Sequence, residues 1–134
     1  KKASELVDIS SLEQKKCYEL SDGQLQKVLI ARALAQDTPL VILDEPTTHL
    51  DLYHKAYVIK LLKKLSEKTG KAIVFASHEI NLAIQLCDRI ILMKEKEVIT
   101  GSPAGLIESG AFSQIFPPDL IVFDQASSSF KIKN

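Results

Sequence analysis

The 134-residue chain carries 17 Lys and Arg residues against 17 Asp and Glu residues, so its formal net charge is zero. Without an excess of either sign, the composition argues against binding to nucleic acid or to an anionic membrane surface. Hydrophobic residues make up 46% of the chain, which is enough for one globular domain with its own core. The longest apolar runs, such as Ala72 to Ala76, are far shorter than the roughly twenty residues that a membrane-spanning helix needs.

The two cysteines, Cys17 and Cys87, lack the spacing of metal ligands. Free thiols of this kind are typical of a reducing compartment, so we expect a cytosolic protein. The chain starts with Lys1 and shows no charged leader followed by an apolar core. We therefore expect it to be part of a longer protein.

In chain order, the apolar pattern predicts alternating helices and strands. Residues 3–9 are weakly helical, and a second helix is predicted to begin near Gln24. Its predicted buried face consists of Leu25, Val28 and Leu29. After Pro39, the continuous apolar run Leu40 to Leu43 is typical of a strand buried on both faces in a parallel sheet.

The next predicted helix runs from about Tyr53 to Lys68, with Gly70 in a capping position. Its predicted buried face consists of Val58, Leu61, Leu62 and Leu65. The run Ala72 to Ala76 repeats the pattern of a buried strand. A further helix is then predicted to bury Ile80, Ala83, Ile84 and Cys87.

Strands are predicted over Arg89 to Met93 and Val98 to Thr100, joined by a hairpin turn from Lys94 to Glu97. A short helix should follow Pro103. Two further strands, around Leu120 to Phe123 and Phe130 to Ile132, predict a small terminal hairpin within residues 119–134.

Chemically active side chains follow two of the predicted strands. Asp44 and Glu45 come after the first strand, and Ser77 and His78 come after the second. Ligands of open α/β sheets bind at this edge. An aspartate there suits Mg²⁺, which prefers carboxylate oxygen, and a glutamate beside it suits the activation of water. A polar strand end followed by a turn is the plain structural alternative for Asp44, Glu45 and Pro46.

The run Leu20 to Gln24 stands at the predicted start of a helix. Unpaired N–H groups and the positive end of the helix dipole favour an anion at such a start, and Gly23 lets the backbone approach closely. An ordinary N-cap by Ser21 or Asp22 explains the same residues. A cap of the next helix is likewise the structural alternative for His78.

Together, these three segments resemble the signature motif, the Walker B strand with its glutamate, and the switch histidine of ATP-binding-cassette (ABC) ATPases. The run Thr47 to Asp51 is similar to the D-loop of that family. The resemblance is greatest to ATPase subunits of iron-chelate, haem and cobalamin importers. It covers nearly the whole chain.

The resemblance implies ATP and Mg²⁺ as cofactors. It assigns Asp44 to the metal, Glu45 to activation of the attacking water, and His78 to the γ-phosphate. It further assigns nucleotide contacts to Ser21, Gly23, Gln24 and Asp51. The family usually has glycine where this chain has Asp22, and a carboxylate there disfavours a nearby phosphate.

The implied fold is α/β, a partial P-loop NTPase fold with a mostly parallel sheet flanked by helices. No G-x-x-x-x-G-K-[ST] run is found among the five glycines, so the N-terminal Walker A part is lacking. Residues 1–134 would then be the C-terminal portion of an ABC ATPase domain, from the signature motif onward. We expect these residues to have little ATPase activity by themselves.

For the full-length protein, the resemblance implies a homodimer or a pair of ABC ATPase subunits with composite ATP sites. It also implies transmembrane permease subunits and, indirectly, a substrate-binding protein, but no nucleic acid. The protein would be cytoplasmic and peripheral on the inner face of the cell membrane. The alternatives are a soluble ABC ATPase that transports nothing and a catalytically silent interaction domain.

Overall fold

A computed structural model describes residues 2–94 and 96–133. The chain divides into two compact units, residues 1–78 and 79–134. Each unit combines helices with strands that pair two by two. The predicted mixture of helix and strand is therefore present, and Glu95 in the predicted turn and Asn134 at the end of the predicted hairpin lie outside the described residues.

Three helices and two strands form the first unit. The helices are α1 (Lys2–Leu6), α2 (Asp22–Ala35) and α3 (Leu52–Thr69), and the strands are β1 (Leu40–Leu43) and β2 (Ala72–Phe75). Short 3₁₀ turns at Ser10–Leu12 and Cys17–Glu19 join α1 to α2. The segments that carry the candidate site lie at the ends of these elements.

The strands β1 and β2 are parallel, with Leu40 opposite Ala72 and Leu43 opposite Phe75. One face of the pair packs into the core, where Val41 is only 4% exposed. The prediction that β1 is buried on both faces is wrong, because Ile42 on the opposite face is 72% exposed. A continuous apolar run indicates the chemistry of both faces, but it cannot indicate whether an element covers the second one.

The core of the first unit is built mainly from α2 and α3. Its buried members are Val7, Ile9, Ile30, Ala31, Leu34, Val41, Val58, Leu62 and Leu65. The predicted buried face of α2 is wrong at Leu29, which is 43% exposed. Apolar residues occur around most of this helix, so their periodicity does not single out the side that packs.

Helix α3 has a well-defined start and end. The Asp51 carboxylate accepts a hydrogen bond from the backbone N–H of His54 at 2.9 Å, which caps the amino terminus. Gly70 has a φ of 68°, the left-handed conformation that ends many helices. Both the predicted helix and its glycine cap are confirmed.

The second unit consists of short elements around an aromatic core. They are α4 (Ile80–Leu86), β3 (Ile90–Lys94), β4 (Glu97–Gly101), α5 (Pro103–Glu108), the 3₁₀ turn Ala111–Gln114, β5 (Ile121–Asp124) and β6 (Ser129–Ile132). The pairs β3–β4 and β5–β6 are antiparallel. Among the described strands, only β1 and β2 pair in parallel.

Leu106, Ala111 and Phe112 form the buried core of the second unit. The ring centroids of Phe112 and Phe123 lie 5.1 Å apart in a stacked arrangement. The prediction that α4 is buried along one face is only partly right. Ile80 and Ile84 pack against this core but are half-buried, because a helix of seven residues covers little surface.

No helix within residues 2–94 or 96–133 combines the length and apolar character needed to cross a membrane.

Candidate functional site

Glu45 and His78 meet beyond the carboxyl ends of the parallel strands. The strand pairing continues past β2, where the N–H of Ala76 donates to the carbonyl of Leu43 at 3.0 Å. Two residues farther along each chain segment, Glu45 Oε1 lies 2.7 Å from His78 Nε2. Neighbouring parallel strands end at the same edge of a sheet, so the residues after β1 and after β2 are brought together there.

The backbone of Glu45 is unusual. Its φ is 43°, in the left-handed region that non-glycine residues rarely adopt. The turn after Glu45 holds it there, because Thr48 N–H donates to the Glu45 carbonyl at 3.1 Å and Pro46 and Thr47 are buried. Such conformations persist where the surroundings over-determine them, which is common at functional sites.

A second partner fixes the Glu45 carboxylate. The hydroxyl of Thr48 donates to Oε2 at 2.9 Å. This hydrogen bond is the main cause that lowers the pKa of Glu45 from its ordinary 4.5, followed by the charge of His78. Glu45 is therefore ionised at neutral pH, the state in which it can accept a proton. The side chain is 41% exposed, so water has access to it.

Asp44 is exposed and directly follows β1. Within residues 2–94 and 96–133, no group of three or more His, Cys, Asp or Glu side chains is arranged to hold a metal ion. Mg²⁺ bound with nucleotide commonly uses one or two carboxylates, with waters and phosphates completing its shell. A single exposed carboxylate at this edge fits that kind of site and does not fit an all-protein metal cage.

The amino terminus of α2 forms a capping box. The Gln24 N–H donates to Ser21 Oγ at 3.3 Å, and the Ser21 N–H donates to Gln24 Oε1 at 3.1 Å. The ordinary N-cap, the structural alternative for these residues, is therefore present. The cap does not use all of the hydrogen-bonding capacity of these residues, because the Ser21 hydroxyl still has its own proton to donate.

The N–H groups of Asp22 and Gly23 occupy the first two positions of α2. These positions have no acceptor within a helix, and no backbone carbonyl in the described part of the chain accepts from them. The α2 start can thus offer two backbone N–H donors and one hydroxyl to an anion. The Asp22 carboxylate interacts favourably with the helix dipole but opposes an anion at the same place.

Asp51 is held more tightly than a cap alone requires. Its Oδ2 lies 2.8 Å from Nδ1 of His54, and its Oδ1 lies 2.9 Å from the same nitrogen. The backbone N–H of His54 and then its side chain lower the pKa of Asp51 from 3.8. The sequence indicated Asp51 as a site residue but did not single out His54.

Six of the predicted site residues thus fall into local groups. Glu45 pairs with His78, Ser21 with Gln24 beside Gly23, and Asp51 with His54. Within residues 2–94 and 96–133, no direct hydrogen bond or ion pair joins the side chains of one group to those of another. The prediction from the sequence missed Thr48. The signal for it is the spacing of Glu45 and Thr48 in a tight turn, which allows the threonine hydroxyl to donate a hydrogen bond to the carboxylate.

Comparison with known proteins gives the family. A family model described as ABC transporter matches residues 1–48. An uncharacterized ABC transporter ATP-binding protein of Methanocaldococcus jannaschii is 36% identical over 96% of this chain. The chain belongs to the ATPase domains of ABC transporters. The family predicted from the motifs is confirmed.

Two further relatives of this ABC ATPase have named cargo. The petrobactin import ATP-binding protein YclP of Bacillus subtilis is 37% identical over 82% of the chain. The nickel import ATP-binding protein NikE of Escherichia coli O157:H7 is 39% identical over 78% of the chain. The chain covers 44% of the M. jannaschii protein, 44% of YclP and 40% of NikE, so it spans less than half of each.

Solved structures confirm the predicted P-loop NTPase fold of the ABC ATPase class. An ABC transporter in an inward-facing conformation matches with a TM-score of 0.79 and 27% identity, over 97% of this chain and 52% of that chain. A bacterial ABC transporter cassette solved as a dimer matches with a TM-score of 0.59 and 40% identity, over 75% of this chain and 45% of that chain. The described residues therefore cover part of an ABC ATPase domain.

Proposed function

We propose that this chain is the C-terminal portion of the ATP-hydrolysing subunit of an ABC importer. The motifs follow one another along the chain as signature segment, Walker B segment, D-loop and switch histidine. This order supports the proposed position within the domain. The apolar sheet face at Ile42 also supports it, because a face 72% exposed at this residue suits a surface that other parts of the domain cover.

The observation that carries the proposal is the contact between Glu45 and His78. ATP hydrolysis needs an oriented water and donors that balance the charge on the transferred phosphoryl group. The ionised Glu45 carboxylate, fixed by Thr48, would orient the water and accept its proton. His78 is 88% exposed, and its imidazole would donate toward the γ-phosphate.

The nucleotide would meet two further parts of the chain. Asp44 would hold Mg²⁺, which balances phosphate charge during the reaction. The Ser21 hydroxyl and the N–H groups of Asp22 and Gly23 would donate to a γ-phosphate, with the Gln24 side chain beside them. Asp51 would act where the D-loop joins the two nucleotide sites.

We further propose a homodimer or a pair of ABC ATPase subunits in the full-length protein. Each ATP would lie between the Glu45 and His78 edge of one subunit and the α2 start of its partner. The dimeric form of a related cassette supports this arrangement. Closure on ATP and reopening after hydrolysis would drive transmembrane permease subunits, to which a substrate-binding protein delivers the cargo.

The cargo class that we propose is an iron-siderophore, haem or cobalamin complex. The petrobactin importer supports an iron chelate, whereas the nickel importer shows that similar ATPases serve other metals. The site would work at the inner face of the cell membrane, in the cytoplasm. A catalytically silent interaction domain is the second candidate, because the capping box and Asp22 favour a structural role for the α2 start.

ATP hydrolysis by the full-length protein tests the proposal. The wild-type protein should release phosphate with Mg²⁺ present, and Glu45→Gln should lower kcat by about 10²–10⁴-fold while ATP still binds. Glu67→Gln, which changes an exposed glutamate of α3 outside the site, is the matched control. An inactive wild-type protein would favour the silent domain, and an equally active Glu45→Gln variant would remove Glu45 from the mechanism.

A further inference from the structure

His54 contacts Asp51 through both its backbone and its ring. The backbone N–H donates to Oδ1 at 2.9 Å, and Nδ1 lies 2.8 Å from Oδ2. A carboxylate only accepts hydrogen bonds, so Nδ1 carries the proton in this contact. One residue thereby engages both oxygens of the carboxylate, which fixes the orientation of the Asp51 side chain as well as its position.

The carbon edge of the same ring lies beside the start of α2. A Cβ built on Gly23 would lie 3.6 Å from His54 Cδ2, an ordinary van der Waals distance. The imidazole therefore borders the end of the D-loop through its nitrogen and the signature segment through its carbon edge. The Tyr53 ring meets it edge-on, with the centroids 5.3 Å apart.

We propose that His54 is a positioning residue that couples the Asp51 carboxylate to the α2 start. This role rests on the proposed function, in which both segments act on ATP. A shift of Asp51 would turn the ring that borders Gly23, and a shift of α2 would press on the ring that orients Asp51. The two segments would then move together when the nucleotide sites close.

A helix cap for α3 is the competing explanation. The Asp51 carboxylate already satisfies that need through the backbone N–H of residue 54, which any residue but proline supplies. The ring adds the Nδ1 bond and places its carbon edge beside Gly23. The ring also contributes to the lowered pKa of Asp51, after the backbone N–H. The histidine side chain supplies both additions together, and the backbone N–H supplies neither.

Two variants of the full-length protein separate the contributions of the ring. His54→Asn places an amide N–H close to the position of Nδ1 and therefore keeps the donor to Asp51. His54→Phe keeps a ring beside Gly23 but has no donor. Tyr53→Phe, on the same turn of α3, is the control for a change of an exposed aromatic residue.

The first measurement is the pKa of Asp51, obtained by NMR titration of ¹³C-labelled aspartate. His54→Phe should raise this pKa toward 3.8 without reaching it, because the backbone N–H remains. His54→Asn and Tyr53→Phe should leave it near the wild-type value. An unchanged pKa in His54→Phe would overturn the proposal whether or not the protein hydrolyses ATP.

The second measurement is kcat and KM for ATP. His54→Phe should lower kcat by about 10–100-fold with little change of KM, and His54→Asn, which keeps the donor but loses the ring beside Gly23, should lower kcat as well. Wild-type kcat in His54→Asn would show that His54 only orients Asp51 and would refute the coupling. If His54→Phe lowers only the thermal stability and leaves kcat unchanged, His54 is a cap and the coupling is refuted. If wild-type protein hydrolyses no ATP, the proposed function fails and the coupling role fails with it.

Discussion

Glu45 Oε1 and His78 Nε2 lie 2.7 Å apart, at the ends of two neighbouring parallel strands. The carboxylate is also bound by Thr48, so its orientation is defined from two sides. Its ionised state and its access to water are the properties that activation of a nucleophilic water requires. This pair is the strongest link between the fold and the proposed ATPase activity.

Removal of the imidazole should weaken catalysis more than nucleotide binding. In the full-length protein, His78→Ala is expected to lower kcat by about 10²–10³-fold, the usual cost of losing one donor to developing charge. Steady-state phosphate release measures this effect. Asn81→Ala, another exposed polar residue nearby in sequence, is the control. Equal losses in both variants would indicate a general structural effect and contradict the role of His78.

The Thr48 hydroxyl should set the acidity of Glu45. Thr48→Val removes the largest cause of the lowered pKa, so the pKa of Glu45 should rise toward 4.5. NMR titration of ¹³C-labelled glutamate measures the change. Thr38→Val removes a hydroxyl that instead donates to the carbonyl of Leu40, and it should leave Glu45 unaffected. The prediction fails if Thr48→Val does not shift this titration.

Asp124 should titrate far below an ordinary aspartate. Lys131 and the Ser127 hydroxyl are the main causes that lower its pKa from 3.8 to about 2. The ionised form binds these partners only in the folded hairpin. Its contribution to stability is therefore fully present above pH 3.8 and is lost as the pH falls through about 2.

Carboxylate NMR of Lys131→Met tests this assignment, because loss of the ammonium group should raise the pKa of Asp124. Lys133→Met, an exposed lysine nearby, is the matched control. A pKa near 3.8 for Asp124 in the wild-type protein would show that the ion pair does not persist in solution.

Two glycines should respond in opposite ways to replacement by alanine. Gly23→Ala should raise the free energy of unfolding by about 0.4–1 kcal/mol, because the helix accepts a Cβ there with only an ordinary contact. Gly70→Ala should lower it by about 1–2 kcal/mol, because φ is 68°. Denaturant unfolding of the full-length variants measures both.

Gly23→Ala should nevertheless lower kcat/KM for ATP by about 10²-fold, since a Cβ would displace a phosphate from the α2 start. Gly70→Ala should retain kcat/KM at temperatures where it is folded. Full activity in Gly23→Ala would contradict close approach of the nucleotide at this helix start.

Local signals allowed much of the fold to be predicted from the sequence. Helix α3 combines an apolar stripe with a terminal glycine, and each signal depends only on nearby residues. Its aspartate cap was found only in the structure. Strands β1 and β2 were recognisable as short apolar runs with polar groups after them. Because parallel strands share an edge, the meeting of Glu45 and His78 could also be anticipated.

The errors concern which surfaces are covered and where side chains point. Apolar residues on several sides of α2 left its packed face undetermined, and Leu29 was assigned to the wrong side. The role of His54 depends on the direction of its ring toward both Asp51 and Gly23, which sequence spacing does not specify. Whether an element covers the second face of β1 is likewise not specified by its apolar run.

That second face gives the last prediction. Ile42 is 72% exposed here, and we propose that the rest of the ABC ATPase domain covers it in the full-length protein. Ile42→Ala should then lower the free energy of unfolding of the full-length protein by about 2–5 kcal/mol, as expected for Leu62→Ala in the core. Denaturant unfolding provides the measurement.

Ile132 is the matched control, because it is an isoleucine with almost the same exposure, 73%. Ile132→Ala should change stability by no more than about 0.5 kcal/mol, the usual range for a surface residue. If Ile42→Ala is equally neutral in the full-length protein, the sheet face stays exposed to solvent there. The proposed placement of this chain inside a larger domain would then lose its structural support, since burial of that apolar face is what would favour the packing of further elements against β1 and β2.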